Sequence, residues 1–309
     1  MFRSLLLKAA RSSRLRGAVE QVPVTRRLVS RYVAGTKEGD AIRAADELVA
    51  DDLTVTIDLL GEDTHDRDQA KQVADAYISL LNAVNQAGLA SDVEVSIKLS
   101  AVGQALPGDG AKIALDNARR VCQAARNAGT TVTLDMEDHT TTDSTLGILQ
   151  QLRLDFPETG AVLQAYLRRT EADCRDLAYE GSRVRLCKGA YNEPASVAYL
   201  DPHDVDRAYV RCAKILLGGP GYPMLATHDP RLVEITGSLA AKFRREQRSY
   251  EYQMLYGVRP EEQRRLVRAG ERMRVYVPYG EDWYGYLVRR LAERPANMFL
   301  FLRSVASKR

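Results

Sequence analysis

The sequence predicts an α/β fold: a distorted (β/α)8 barrel of the TIM type, with extra N-terminal helices and a C-terminal helix over the active site. Two observations carry the barrel; its distortion and the place of the last helix rest on the motifs given below. Eight short apolar, β-branched runs recur along the chain, and helix-like segments separate them. Runs of five to eight residues suit buried parallel strands better than helices. Strand alternating with helix eight times predicts parallel strands joined by crossover helices and closed into a barrel.

Taken in order, residues 1–50 read as an N-terminal helical segment packing on the barrel, and residues 51–309 as the barrel itself. The first 31 residues hold eight Lys or Arg and one acid, Glu20. The segment FRSLLLKAARSSRLRGAV is basic and mildly amphipathic, which suits a surface helix, a transit peptide or a helix lying on a membrane. The apolar run 5–7 is too short for a secretory core, which favours the surface helix.

The predicted strands are LTVTIDLL (53–60), VEVSIKLS (93–100), TVTLDME (131–137), AVLQAYL (161–167), RVRLCKG (183–189), PMLAT (223–227), YEYQML (250–255) and MRVYVP (273–278). Between them, DQAKQVADAYISLLNAVNQAGL, GAKIALDNARRVCQAARNAG and DPRLVEITGSLAAKFRRE carry the apolar spacing of amphipathic helices. No linker or low-complexity stretch divides them. A doubly wound open sheet is the alternative; no Gly-x-Gly-x-x-Gly fingerprint follows the first strand to support it.

Composition narrows the function. At 45% hydrophobic and 28% charged residues, the chain reads as globular with ample core material. A net charge of +3 over 309 residues gives no support for nucleic-acid binding. Cys122, Cys174, Cys187 and Cys212 lack metal-ligand spacing, so no metal is expected, and a reducing cytoplasm is the better setting. No apolar run of membrane-spanning length is present.

In a (β/α)8 barrel the active site forms at the C-terminal strand ends. The residues there are Asp58, Lys98, Asp135 with Glu137, Gln164, Arg185 with Lys188, Thr227 with His228, Glu251 with Gln253, and Tyr276. Buried charge costs several kcal/mol unless paired or used, so a polar group at every strand end points to a site without naming the reaction. In WYGYLVRRLAE, Tyr286, Arg289, Arg290 and Glu293 share one helix face. Two adjacent guanidinium groups there suit a bidentate clamp for a carboxylate or phosphate; the alternative is a solvated helix with an ion pair.

SIKLS, LDMED, VLQAY, VRLCKGAY, ATHD, YEYQML, VYVPYG and YLVRRLAE together resemble, in order and spacing, the core motifs of the proline dehydrogenases. The resemblance implies a monofunctional enzyme that binds FAD non-covalently at the strand ends and oxidises L-proline to 1-pyrroline-5-carboxylate. By the same resemblance, Asp135 and Arg185 match catalytic positions, with Arg185 beside the flavin N5 edge. Lys98, Leu255, Tyr276, Arg289, Arg290 and Glu293 match substrate-binding positions, the arginine pair holding the proline carboxylate and Glu293 pairing with it. Met136, Gln164, Arg185, Lys188, Gly189, Ala190, Thr227 and His228 match cofactor contacts. YEYQ stands where the family more often has Phe-Glu-Phe-Gln.

The resemblance also implies a membrane quinone as electron acceptor, hence peripheral contact of a cytoplasmic protein with the inner face of the cell membrane, for which the basic N-terminus is suited. The chain's end soon after YLVRRLAE leads us to expect a separate pyrroline-5-carboxylate dehydrogenase downstream. A cationic environment around Lys98 and Arg185 is expected to favour the neutral substrate amine. Two other readings stay open: a Schiff-base lyase using Lys98 or Lys188, with the arginine pair on a phosphate, and a catalytically inactive scaffold whose basic surfaces bind a membrane or acidic partner.

Overall fold

The computed structural model describes residues 29–61 and 64–292, with the backbone alone for 288–292. Eight strands form one parallel sheet: β1 (Thr54–Leu59), β2 (Val93–Lys98), β3 (Val132–Asp135), β4 (Ala161–Gln164), β5 (Arg183–Cys187), β6 (Tyr222–Ala226), β7 (Glu251–Leu255) and β8 (Met273–Tyr279). Their order is β3-β2-β1-β8-β7-β6-β5-β4. The two ends of that order meet through a single parallel bridge, Thr133 to Gly160, with Leu134 N–H donating to Gly160 O at 2.9 Å and Gly160 N–H to Val132 O at 2.8 Å. The barrel is therefore nearly closed. Glycine is needed at this seam, because a Cβ at position 160 would lie 2.5 Å from Thr133 Oγ1.

Six predicted runs contain their strand whole; β6 begins one residue before its run, at Tyr222, and β8 ends one residue after its run, at Tyr279. The runs overshoot where side chains draw the backbone out of the sheet. β3 stops at Asp135, and the Glu137 carboxylate accepts from Ser100 N (3.0 Å) and Ser100 Oγ (2.6 Å), pinning the end of β2. β4 stops at Gln164, where Leu167 N–H turns back to the Gln164 carbonyl at 3.1 Å.

Helix α1 (Glu38–Ala50) packs on β8 and β1 and buries Ala41, Ala44 and Ala45 against Leu53 and Val55. The crossover helices are α2 (Arg67–Gln86), α3 (Gly110–Ala128), α4 (Thr142–Asp155), α5 (Thr170–Leu177), α6 (Pro202–Gly218), α7 (Pro230–Lys242) and α8 (Pro260–Arg268). Several begin as their sequences dictate. Asp66, Asp201 and Asp229 each accept a backbone N–H from the first turn, and proline stands at the first position of α6 and α7. The apolar faces of these helices and the outward residues of the strands make one continuous core.

The last helix, α9 (Trp283–Ala292), departs from that ring. Tyr284, Tyr286 and Leu287 form a separate apolar cluster with Tyr32, Val33, Leu60 and Val258, and Leu255 packs against it. Leu60 follows β1 and Leu255 ends β7, so α9 sits against the C-terminal strand ends, as predicted, while α1 covers the β8–β1 seam.

Candidate active site

The strand ends converge on Asp135. Register places Lys98 opposite Asp135 on adjacent β2 and β3, and Asp58 opposite Ser96 on β1 and β2. Lys98 Nζ lies 2.8 Å from both Asp58 carboxylate oxygens and 3.9 Å from Asp135 Oδ2. Asp135 Oδ1 accepts from Arg185 Nη1 and from Ser96 Oγ, each at 2.6 Å, and Asp135 Oδ2 accepts from Tyr276 OH at 2.6 Å. The Arg185 guanidinium carbon lies 5.3 Å from the centre of the Tyr276 ring. Tyr77, from α2, donates to the Ser96 carbonyl at 2.9 Å and approaches Asp58 Oδ1 at 3.3 Å.

These contacts decide the charge states. Burial raises the Asp58 carboxyl above the ordinary carboxylate range against the pull of Lys98, and the neighbouring Asp135 adds to the rise. Burial opposes the Arg185 charge, but Asp135 and Glu94 outweigh it and hold the guanidinium protonated. Burial, then the Asp135 charge, push the Tyr276 phenol far above its usual range, so it serves as a donor.

The expectation of a cationic pocket needs correction. Lys98 and Arg185 are matched by Asp58 and Asp135, so the four formal charges cancel. Asp58 chelates Lys98 with both carboxylate oxygens, which removes the surplus positive charge on which that expectation rested.

Beneath this layer the barrel interior is charged rather than aliphatic. Buried Glu94 meets Arg183, Arg185 and Arg274, and accepts from Thr56 Oγ1 (2.8 Å), Thr131 Oγ1 (3.1 Å) and Thr133 Oγ1 (3.2 Å). Burial opposes its charge, but Arg183, Arg274 and Arg185 together hold the Glu94 carboxyl well below the usual carboxylate range. Glu94, Ser96 and Lys98 alternate along β2, Thr54, Thr56 and Asp58 along β1, and Glu251 and Gln253 along β7. That period of two was the available signal for the inward face.

The remaining predicted residues lie around the rim. Buried Met136 follows β3 directly, and Gln164 donates from Nε2 to the Glu137 carbonyl at 2.7 Å. Lys188 pairs with Asp206 (2.5 Å) and Asp229 (3.3 Å). Gly189 has φ +115°, and a Cβ there would meet the Tyr166 ring at 2.3 Å; Ala190 beside it is exposed. Thr227 Oγ1 accepts from Asp229 N at 3.1 Å. His228 Nε2 accepts from Leu255 N at 2.9 Å, which leaves Nδ1 to carry the proton of the neutral ring. Arg289 and Arg290 belong to α9, whose described side chains face the strand ends, and Glu293 lies outside the described residues.

One further clamp carries no sequence motif. Buried Glu193, after β5, accepts from His139 N at 2.9 Å and Tyr166 OH at 3.3 Å and contacts His139 Nδ1, tying the loop after β3 to that after β5.

A nearly closed (β/α)8 barrel with a paired, buried charge cluster at its strand ends and a helix seated against them defines a barrel-enzyme class. Residues 41–300 match the family model described as proline dehydrogenase. The proline dehydrogenase of Deinococcus radiodurans is 40% identical over 301 residues, 96% of each chain, and proline dehydrogenase 1 of Bacillus subtilis strain 168 is 38% identical over 284 residues, 92% of each. The chain belongs to the proline dehydrogenase family. Among solved structures, proline utilization A (PutA) from Bdellovibrio bacteriovorus, inactivated by N-propargylglycine, superposes with a TM-score of 0.80 at 26% identity. That match covers 92% of this chain and 34% of the other, so this chain spans about a third of that protein's length.

Proposed function

We propose that this enzyme oxidises L-proline to 1-pyrroline-5-carboxylate with FAD bound at the strand ends, and passes the electrons to a membrane quinone. The observation that carries the reading is the Asp135-centred cluster beneath α9 in a chain of this family.

The residues present fit FAD. Asp135 and Gln253 hold Arg185 Nη1 and Nε, while Nη2 turns toward Glu94 (3.8 Å) beneath the strand-end layer. Around it the β4–β6 rim offers an amide at Gln164, a cation at Lys188, and close backbone approach at Gly189, a mixture of neutral and cationic donors suited to a ring system carrying phosphates. Met136, Gln164, Arg185, Lys188, Gly189, Ala190, Thr227 and His228 would hold it. Bound there, FAD would supply the two-electron acceptor chemistry that no side chain provides.

The chain's own residues orient the substrate and manage charge. Arg289 and Arg290, with Glu293, would clamp the proline carboxylate, while Leu255, Tyr276 and Lys98 bound the ring. Asp135 would fix Arg185, Tyr276 and Lys98 together. Because the cluster carries no surplus positive charge, the substrate amine would lose its proton to solvent before binding, and no side chain here need act as an obligatory base. A rate of flavin reduction that ignores substrate amine ionisation would contradict this.

The Schiff-base alternative finds no free amine. Lys98 is engaged by both oxygens of Asp58, and Lys188 by Asp206 and Asp229.

The test is an anaerobic titration with L-proline followed from about 350 to 550 nm, the absorption range of a bound flavin. Bleaching of a flavin spectrum supports the reading; a flavin that stays oxidised overturns the substrate, and no flavin after reconstitution with FAD overturns the cofactor. Among the described residues no helix is long and apolar enough to cross a membrane. Peripheral contact through the basic N-terminus predicts that deleting residues 1–20 weakens binding to anionic vesicles. The product would then pass to a separate pyrroline-5-carboxylate dehydrogenase.

A further inference from the structure

Resting on that reading of the site, we propose that Gln253 is a positioning residue for Arg185, held in its own orientation by Glu251 and Arg274.

Arg185 is buried and has three guanidinium nitrogens with distinct fates. Nη1 donates to Asp135 Oδ1 at 2.6 Å and Ser96 Oγ at 3.2 Å; Nε donates to Gln253 Oε1 at 2.6 Å; Nη2 has no hydrogen-bond partner. Asp135 and Gln253 grip the planar group at two points, which fixes the direction of Nη2. Asp135 alone would leave the group free to pivot about Nη1.

The amide of Gln253 can lie only one way. Its Nε2 donates to Glu251 Oε1 at 2.6 Å, and that same oxygen accepts from Arg274 Nε at 2.7 Å. Arg274 is tied to the barrel by Nη1, which donates to the Val55 carbonyl at 2.8 Å, and Tyr222 OH donates to Glu251 Oε2 at 3.0 Å. A flipped amide would set NH2 against a guanidinium and C=O against a carboxylate, losing two hydrogen bonds in a dry interior. Gln253, Glu251 and Arg274 are all at least nine-tenths buried, so water cannot substitute for them. The chain β8–β7–β5 therefore carries orientation from the barrel interior to Arg185, which meets Asp135 at the strand ends.

Glutamine also suits this place electrically. A carboxylate at 253 would stand against Glu251, and an apolar side chain would strand the Arg185 Nε–H. A neutral side chain with both an acceptor and a donor satisfies both neighbours.

The test is a double-mutant cycle of Gln253→Met with Arg185→Lys in the FAD-loaded enzyme, read in three ways: rate of flavin reduction by proline, midpoint potential of the bound flavin, and thermal unfolding. Wild-type reduction is recorded first; its failure overturns the substrate reading and is distinguishable from failure of the cycle. Gln253→Met should slow reduction about tenfold or more, as small misplacements of positioned groups do, and shift the potential. In the Arg185→Lys background it should change neither further. Multiplying effects would overturn the proposal, and so would a loss of thermal stability with rate and potential unchanged. Should Gln253→Met not fold, Gln253→Asn keeps a neutral amide at the position but shortens its reach to Arg185 Nε. It should slow flavin reduction and shift the potential, and wild-type values for both would overturn the role.

Discussion

Asp135 and Arg185 stand two strands apart, on β3 and β5, yet Asp135 Oδ1 and Arg185 Nη1 are 2.6 Å apart across the barrel interior. Neither is paired along the ladder with the other, so only closure of the sheet brings them together. Ser96, Tyr276 and Lys98 then gather on the same carboxylate.

Removing that carboxylate should be severe. Asp135→Ala leaves Arg185 and Lys98 without a shared anion and Tyr276 without its acceptor, and breaking a buried pair in this way costs about 3–5 kcal/mol. Urea unfolding should show the loss directly. Asp135→Asn, which keeps the shape and one acceptor oxygen, should lose less stability while still slowing proline-dependent flavin reduction.

Gly189→Ala should fold poorly around the β5 rim. The new methyl would be placed in the Tyr166 ring on a backbone at φ +115°, strain of about 1–3 kcal/mol before any repacking. Thermal unfolding measures the cost, and flavin retained on gel filtration measures whether the rim still holds cofactor; Gly181→Ala, at φ +79° but with no atom within 4 Å of the new methyl, is the mild control.

Leu287 is fully buried in the cluster that seats α9. Truncation to alanine removes contacts worth about 2–5 kcal/mol in a core setting. Because α9 bears Arg289 and Arg290, loosening it should raise the KM for proline more than it lowers kcat. A kcat loss with KM unchanged would mean that α9 does not govern substrate capture.

Asp229 gives a pH signature. The Arg231 side chain, with the Arg231 backbone N–H and Lys188, holds its carboxyl down to about 2 from an ordinary 3.8, against a smaller effect of burial. A depressed carboxylate contributes stability that is full above the unfolded value and lost as pH falls through the folded one. Asp229→Ala also deletes the N-cap of α7, so it should cost about 1 kcal/mol at neutral pH. The gap to wild type should narrow as pH drops from about 4 to about 2. A gap constant through that window would show that the ion pairs contribute nothing.

The sequence by itself determined the barrel and most of the rim. Hydrophobic runs of strand length and capped helices are local properties, so β1–β8 could be read from residues close in the chain, as could the polar residues in or just beyond the last residues of the strands. The family motifs, dense at those strand ends, carried the residue types toward a proline-oxidising site. What only tertiary structure decided is which of those polar residues meet. Asp58 chelating Lys98, Gln253 gripping Arg185, and Glu94 holding three arginines are contacts between residues 40, 68 and 89 to 180 positions apart. Charge cancellation in the pocket followed from those contacts and overturned the cationic expectation, because a local pattern shows which side chains face inward but not which partner each one finds.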